Sequence, residues 1–121
     1  MLEQLFYLVR SAEKKLRVEG AEFKLSPLFF RTVVMILKNP EMTADTLSKA
    51  LVADKALVAR TVTELEERSL ITRKRNPNDK RSFLLVPMEN LLAIKDQLLK
   101  LEKDAEDFVA ETARKEGITL W

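Results

Sequence analysis

Between positions 68 and 81 six cations, Arg68, Arg73, Lys74, Arg75, Lys80 and Arg81, stand against a single carboxylate, Asp79. That local excess of +5 sits in a chain whose formal charge is only +2. Guanidinium and ammonium groups crowded in this way neutralise phosphate, and arginine also forks onto the O6 and N7 acceptors of guanine. Such a segment is equally a solvated hairpin with charges placed at random, so its structural setting must decide between the two. Other chemistry is scarce. The absence of Cys and His excludes thiolate nucleophiles, redox pairs, zinc fingers, Ser-His-Asp triads and imidazole ligands. Asp96, Asp104 and Asp107 lie among lysines on a heptad-patterned segment, as solvated charges do, rather than as an acid–base pair. The two glycines, Gly20 and Gly117, lie outside any loop that could cradle a phosphate. No catalytic residue, metal or cofactor is expected, and an enzyme is the least favoured class.

With 121 residues, 46% hydrophobic and 33% charged, the chain reads as one domain, 1–121, able to bury a core without disulfides or metal. Its longest apolar runs, 5–9 and 33–37, are far shorter than the roughly 18 residues of a membrane span, and the start lacks the pattern of a secretory signal. The expected location is cytoplasmic, with no membrane partner. Charge is uneven along the chain. Residues 54–87 hold eight basic and five acidic groups, and residues 88–121 hold five and eight.

The elements that must position the cations follow from periodicity. Leu2, Leu5, Val9, Ala12 and Leu16 form one stripe of a helix over 2–18, with Gly20 as a left-handed cap. Ser26-Pro27 opens a second helix with Phe30, Val33, Val34 and Leu37 inward, stopped by Asn39-Pro40. Thr43 caps a short third helix, with Met42 placed to staple against Leu47. Asp54 caps a fourth helix running to about Arg68, whose Val58, Val62 and Leu65 face inward. Lys55, Ala56, Ala59, Arg60 and Thr63 then lie elsewhere on its surface. Two strand-like runs, 70–75 and 81–86, flank the turn Asn76-Pro77-Asn78-Asp79. The last segment, 88–116, carries Leu91, Ile94, Leu98, Leu101, Ala105, Phe108 and Thr112 in heptad spacing, a helix too long for so small a domain to bury throughout. The expected fold is mainly α with a small β-hairpin wing: a winged helix-turn-helix lobe over 26–86, flanked by dimerisation helices 1–18 and 88–116. Their apolar stripes, Leu2, Leu5 and Val9 together with Leu91, Ile94, Leu98, Leu101 and Phe108, are read as packing between subunits.

Residues 43–86 also resemble the MarR family of winged helix-turn-helix transcriptional regulators, and 25–101 follow its helix order. The resemblance rests on Thr43 through Leu51, on Asp54-Lys55 with Val58, Arg60, Val62 and Leu65-Glu66-Glu67-Arg68, and on Ile71-Thr72-Arg73. Its most specific element is Asn76-Pro77-Asn78-Asp79-Lys80-Arg81-Ser82, similar to the Asp-x-Arg wing signature. It implies a homodimeric repressor, with recognition helices in successive major grooves of double-stranded DNA and wings in flanking minor grooves. On that reading Arg60 takes guanine or phosphate, Lys55 takes phosphate, and Thr63 offers a hydroxyl to either. Arg81 enters the minor groove while Lys74, Arg75 and Lys80 add backbone contacts. Asp79 orients a wing arginine, for which Arg73 is the candidate.

The chain departs from the family pattern at Ala56, Leu57 and Ala59, where the recognition helix usually carries more polar residues, and at Ser69 and Pro87-Met88-Glu89-Asn90. The family also implies a small-molecule effector of unknown identity. Phe6, Arg10, Phe23 and Phe30 could border an apolar cleft with one cation, but phenylalanines at helical spacing read better as core, and no ligand is assigned. The alternative function is a winged-helix protein-interaction module with weak or no specific DNA binding, in which Leu57 and the exposed alanines meet a partner.

Overall fold

The computed structural model describes residues 1–119, which form two compact units. One is Arg31–Asp96; the other is Met1–Phe30 with the chain from Gln97 onward.

Helix α2 (Pro27–Lys38), which from Arg31 onward belongs to the first of these units, drives Val33, Val34, Ile36 and Leu37 into the core. It starts where Ser26 Oγ accepts the Phe29 N–H at 3.2 Å, and the expected Ser-Pro opening holds. Thr43 caps α3 (Ala44–Leu51), its Oγ1 accepting the Thr46 N–H at 3.1 Å. Val52, left-handed at φ 52°, turns the chain, and Asp54 Oδ1 accepts the Leu57 N–H at 2.8 Å to start α4 (Lys55–Glu67). The buried hydroxyls here are satisfied: Ser48 donates to the Ala53 carbonyl and Thr61 to that of Leu57.

The hairpin strands are β2 (Ile71–Arg75) and β3 (Phe83–Pro87), antiparallel with Arg73 opposite Leu85 and Arg75 opposite Phe83. A third strand adds to the expected pair. Met42 and Thr43 form β1, which pairs with Leu85 and Leu84 on the other edge of β3, giving the order β1-β3-β2. The sheet thus ties the start of α3 to the wing. Leu47, Val62, Leu65, Ile71 and Leu85 are all essentially inaccessible to solvent. Leu47→Ala is expected to cost about 2–5 kcal/mol of stability, because the surrounding helices and strands refill such a cavity only partly. A denaturant titration measures it; a loss below about 1 kcal/mol would mean that Leu47 is not a keystone of this core.

The last segment differs from the single long helix expected over 88–116. A short α5 (Glu89–Leu92) precedes α6 (Lys95–Lys115), and between them the ladder tightens, with the Ile94 N–H bonding the Leu91 carbonyl at 3.1 Å. The cause is tertiary anchoring of the segment's start. Met88 N–H bonds the Leu70 carbonyl at 2.9 Å, Asn90 reaches that of Ser69, and Leu91 is fully buried.

In the other unit, α1 (Leu2–Glu19) and a 3-10 turn (Ala21–Phe23) accompany α6. Leu8, Ala113 and Ile118 form a small core with Val109 against it. Gly20 is not the left-handed cap expected: its φ is −90°. Glycine fits there because a β-carbon would come within 2.6 Å of the Leu16 carbonyl oxygen; the left-handed residue is Lys24, φ 56°. At the other end Gly117, φ 67°, closes α6, with Ile118 N–H on the Ala113 carbonyl.

Three of the expected dimer-seam residues have another role. Leu91, Leu98 and Leu101 are buried by the chain itself, because a heptad stripe packs equally well inside a protomer. Ile94 is half-buried, while Leu2, Leu5, Val9 and Phe108 remain exposed at 61%, 37%, 52% and 39%. Phe6 is likewise exposed on α1, not core as its spacing implied, whereas Phe30 is buried. Among the described residues no helix is long and apolar enough to cross a membrane.

Candidate nucleic-acid interface

With Val58, Thr61, Val62 and Leu65 turned into the core, the 3.6-residue period sends Ala56, Arg60 and Thr63 to the opposite face of α4. Arg60 is exposed, and among the described residues it makes no ion pair, although Glu64 lies one turn away. Its five donors are therefore available to a ligand. Thr63 also faces solvent, its Oγ1 accepting from Arg73 Nη2 at 3.2 Å.

Arg73 reaches from β2 to α4, where its Nε lies 2.8 Å from Glu66 Oε1. It is thus a strut between wing and helix. This corrects its expected pairing with Asp79. The Asp79 carboxylate instead accepts from the Arg81 backbone N–H at 3.0 Å and approaches Arg81 Nε at 3.4 Å. The pleat explains the difference. Arg73 lies on the sheet face that meets α4, where a carboxylate already stands, while Asp79 belongs to the tip and caps its own turn.

The tip is built by local hydrogen bonds. Asn76 Oδ1 accepts the Asn78 N–H at 2.9 Å, and Asn76 Nδ2 donates to Ser82 Oγ at 3.0 Å. It presents Arg81 with its side chain 93% exposed. Lys80 and Arg75 are exposed as well. Asp79→Ala is expected to weaken binding by less than about tenfold per half-site, since an exposed pair contributes at most about 1 kcal/mol. Asp79→Asn, which keeps the Oδ1 acceptor, should retain most of the affinity in the same titration. Equal losses in both variants would make the charge, not the turn, the contribution of Asp79.

The remaining cations are not all brought together. Lys74 alternates onto the other face of β2, opposite to Arg73 and Arg75, and pairs with Glu41 at 3.3 Å. It stands apart from the surface that α4 and the tip share. Lys55 lies at the start of α4 but pairs with Asp45 at 3.4 Å. Lys49, and less strongly Lys55, hold the Asp45 carboxyl below its ordinary range. A phosphate at Lys55 must compete with that carboxylate. A crevice of about 290 Å³ separates α3 and α4 from the hairpin, with Lys55, Arg73 and Arg81 at its rim and Val58, Val62 and Leu85 among its lining.

Sequence reasoning missed the carboxylates Asp45, Glu66 and Glu41 as partners of these cations. Only Asp45 to Lys49 has a local signal, the i to i+4 spacing. The acidic residues of α6 behave as expected of solvated charges, with Lys100–Asp104 at 2.8 Å and Lys103–Asp107 at 2.7 Å. Hydrogen bonding to Lys100 holds the Asp104 carboxyl below its ordinary range. Among the described residues no acidic group is arranged to hold a metal ion.

The helix-turn-helix, the third strand and the Asp79-Lys80-Arg81 wing coincide with the MarR family model, which matches residues 25–83. Over those residues the chain matches the MarR family. The HTH-type transcriptional regulator BilQ of Clostridioides difficile (strain CD3) is 29% identical over 87 residues, which cover 69% of this chain and 59% of that protein. The chain therefore matches less than two-thirds of that relative's length. A solved MarR structure superposes with a TM-score of 0.79 at 25% identity, covering 93% of this chain and 76% of the other. A MarR family regulator from Listeria monocytogenes, solved with a 26mer DNA, gives a TM-score of 0.81 at 20% identity, covering 97% of this chain and 86% of the other. This chain shares the winged helix-turn-helix fold of both.

Proposed function

We propose that this chain is a sequence-specific double-stranded DNA-binding transcriptional regulator, acting as a homodimeric repressor in the cytoplasm. The observation that carries the reading is the pairing of two exposed arginines on rigid supports, Arg60 on α4 and Arg81 on the wing tip. The first suits the major groove, where guanine presents two acceptors to one guanidinium. The second suits a narrow minor groove, where negative potential concentrates. Lys80 and Arg75 add phosphate neutralisation, which supplies affinity without reading sequence. The relative from Listeria monocytogenes, solved with DNA, supports the same use of the fold.

The exposed stripe of α1, Leu2, Leu5, Phe6 and Val9, supports a second copy as partner, since apolar side chains at helical spacing left open to water gain by burial against one another. Two copies turn one recognition helix into a reader of an inverted repeat. Occupancy of such a site over a promoter is enough to exclude polymerase, which favours repression.

Selection of duplexes from a random library by the purified protein tests the reading. An enriched inverted repeat with half-sites about 10 base pairs apart, bound with steeply salt-dependent affinity, is the expected result. Absence of any enriched sequence would favour the protein-interaction module instead, with half-buried Leu57 on α4 as its first candidate contact.

A further inference from the structure

On the outward face of α4 the residues around Arg60 are unusual in chemistry as well as position. Ala56 lies directly before it on the same stripe, and Ala59 lies one step toward the wing; both are exposed. Ala59 borders the crevice rimmed by Arg73 and Arg81 and also the face that carries Arg60 and Thr63. Farther along the helix Glu64 and Glu67 flank that face, and carboxylates suit neither phosphate nor the acceptors of guanine. The approach to base edges therefore falls to the first turns of α4, which is the part of a recognition helix that enters the groove. There, apart from the Lys55 ammonium held by Asp45, the surface offers one guanidinium and two methyl groups.

In the major groove thymine is set apart by its 5-methyl group, which apolar side chains contact. Alanine also keeps the helix backbone close to the bases, since nothing longer projects between them. Resting on the DNA-binding reading above, we propose that Ala56 and Ala59 read the 5-methyl groups of thymines beside the guanine taken by Arg60. The missing hydroxyls at these positions are then a source of specificity rather than a loss of it. A polar side chain held against the thymine methyl would be desolvated without a partner.

The test uses the full chain and its selected duplex, replacing each thymine of a half-site in turn by deoxyuridine, which removes only the methyl group. The expected result is about a fourfold loss of affinity at one or two thymines next to the guanine, the factor that matches about 0.8 kcal/mol for one buried carbon group. Ala56→Ser and Ala59→Ser should each abolish the preference for thymine over deoxyuridine at one position, with folding checked by circular dichroism. Specific, salt-dependent binding indifferent to every methyl would overturn this inference and leave the regulator reading standing. A methyl effect that survives in both serine variants would overturn its assignment to these alanines. Failure to enrich any duplex would overturn the DNA-reading account together with it.

Discussion

Arg60→Ala lowers affinity by about 5- to 150-fold for each half-site that the duplex carries and relaxes the choice of base at one position of each half-site. The magnitude follows from the loss of a two-pronged contact to guanine, worth about 1–3 kcal/mol. The fold should be untouched, because Arg60 is exposed and, among the described residues, makes no ion pair. Lys80→Ala provides the contrast. A phosphate contact reads no sequence, so its loss weakens binding uniformly and reduces the slope of log affinity against log salt by about one for each subunit bound. Titration of the selected duplex and its single-base variants over a salt series separates the two behaviours. An Arg60→Ala protein with unchanged affinity and base preference would take α4 out of sequence reading.

The second large effect concerns assembly. Leu5→Asp together with Val9→Asp should give a folded monomer, because both side chains are already exposed within the protomer and charge there costs it little. Paired across a dimer seam, the same carboxylates would be buried and would repel. Linkage of two half-site readers raises affinity by about 10²- to 10⁴-fold, so the monomer should bind an inverted repeat no better than a single half-site. Sedimentation and duplex titration measure the two consequences together. A dimer that persists in the double variant would place the seam away from α1.

Features determined by neighbours in sequence were legible. Thr43 and Asp54 cap helices through a side chain three residues from its donor, and Asn76-Pro77-Asn78-Asp79 closes its own turn, so each needs only local geometry. Features determined at a distance were not. Strand β1 is two residues long and exists because Leu84 and Leu85 lie across from it, some forty positions later. Leu91 continues the heptad of α6 in sequence, yet the ties of Met88 and Asn90 to the hairpin draw it into a different helix. The spacing of Leu98 and Leu101 says that they are buried, and says nothing of whose atoms bury them.

The candidate site divides along the same line. That Arg60 and Thr63 share a face follows from the helical period alone. Which carboxylate holds which arginine depends on the pleat, and Arg73 has three acidic neighbours in sequence, Asp79 six residues on and Glu67 and Glu66 six and seven residues back. The side of the sheet chose Glu66.

The most direct measurement is chemical interference on the selected duplex with dimethyl sulfate, which methylates guanine N7 in the major groove and adenine N3 in the minor groove. If α4 and the wing act as described, N7 methylation at the centre of each half-site blocks binding by the native chain but matters little to Arg60→Ala. Adenine N3 methylation in the flanks blocks the native chain but matters little to Arg81→Ala. Binding that tolerates both modifications would contradict the account, because a protein that holds only the phosphates reads neither groove.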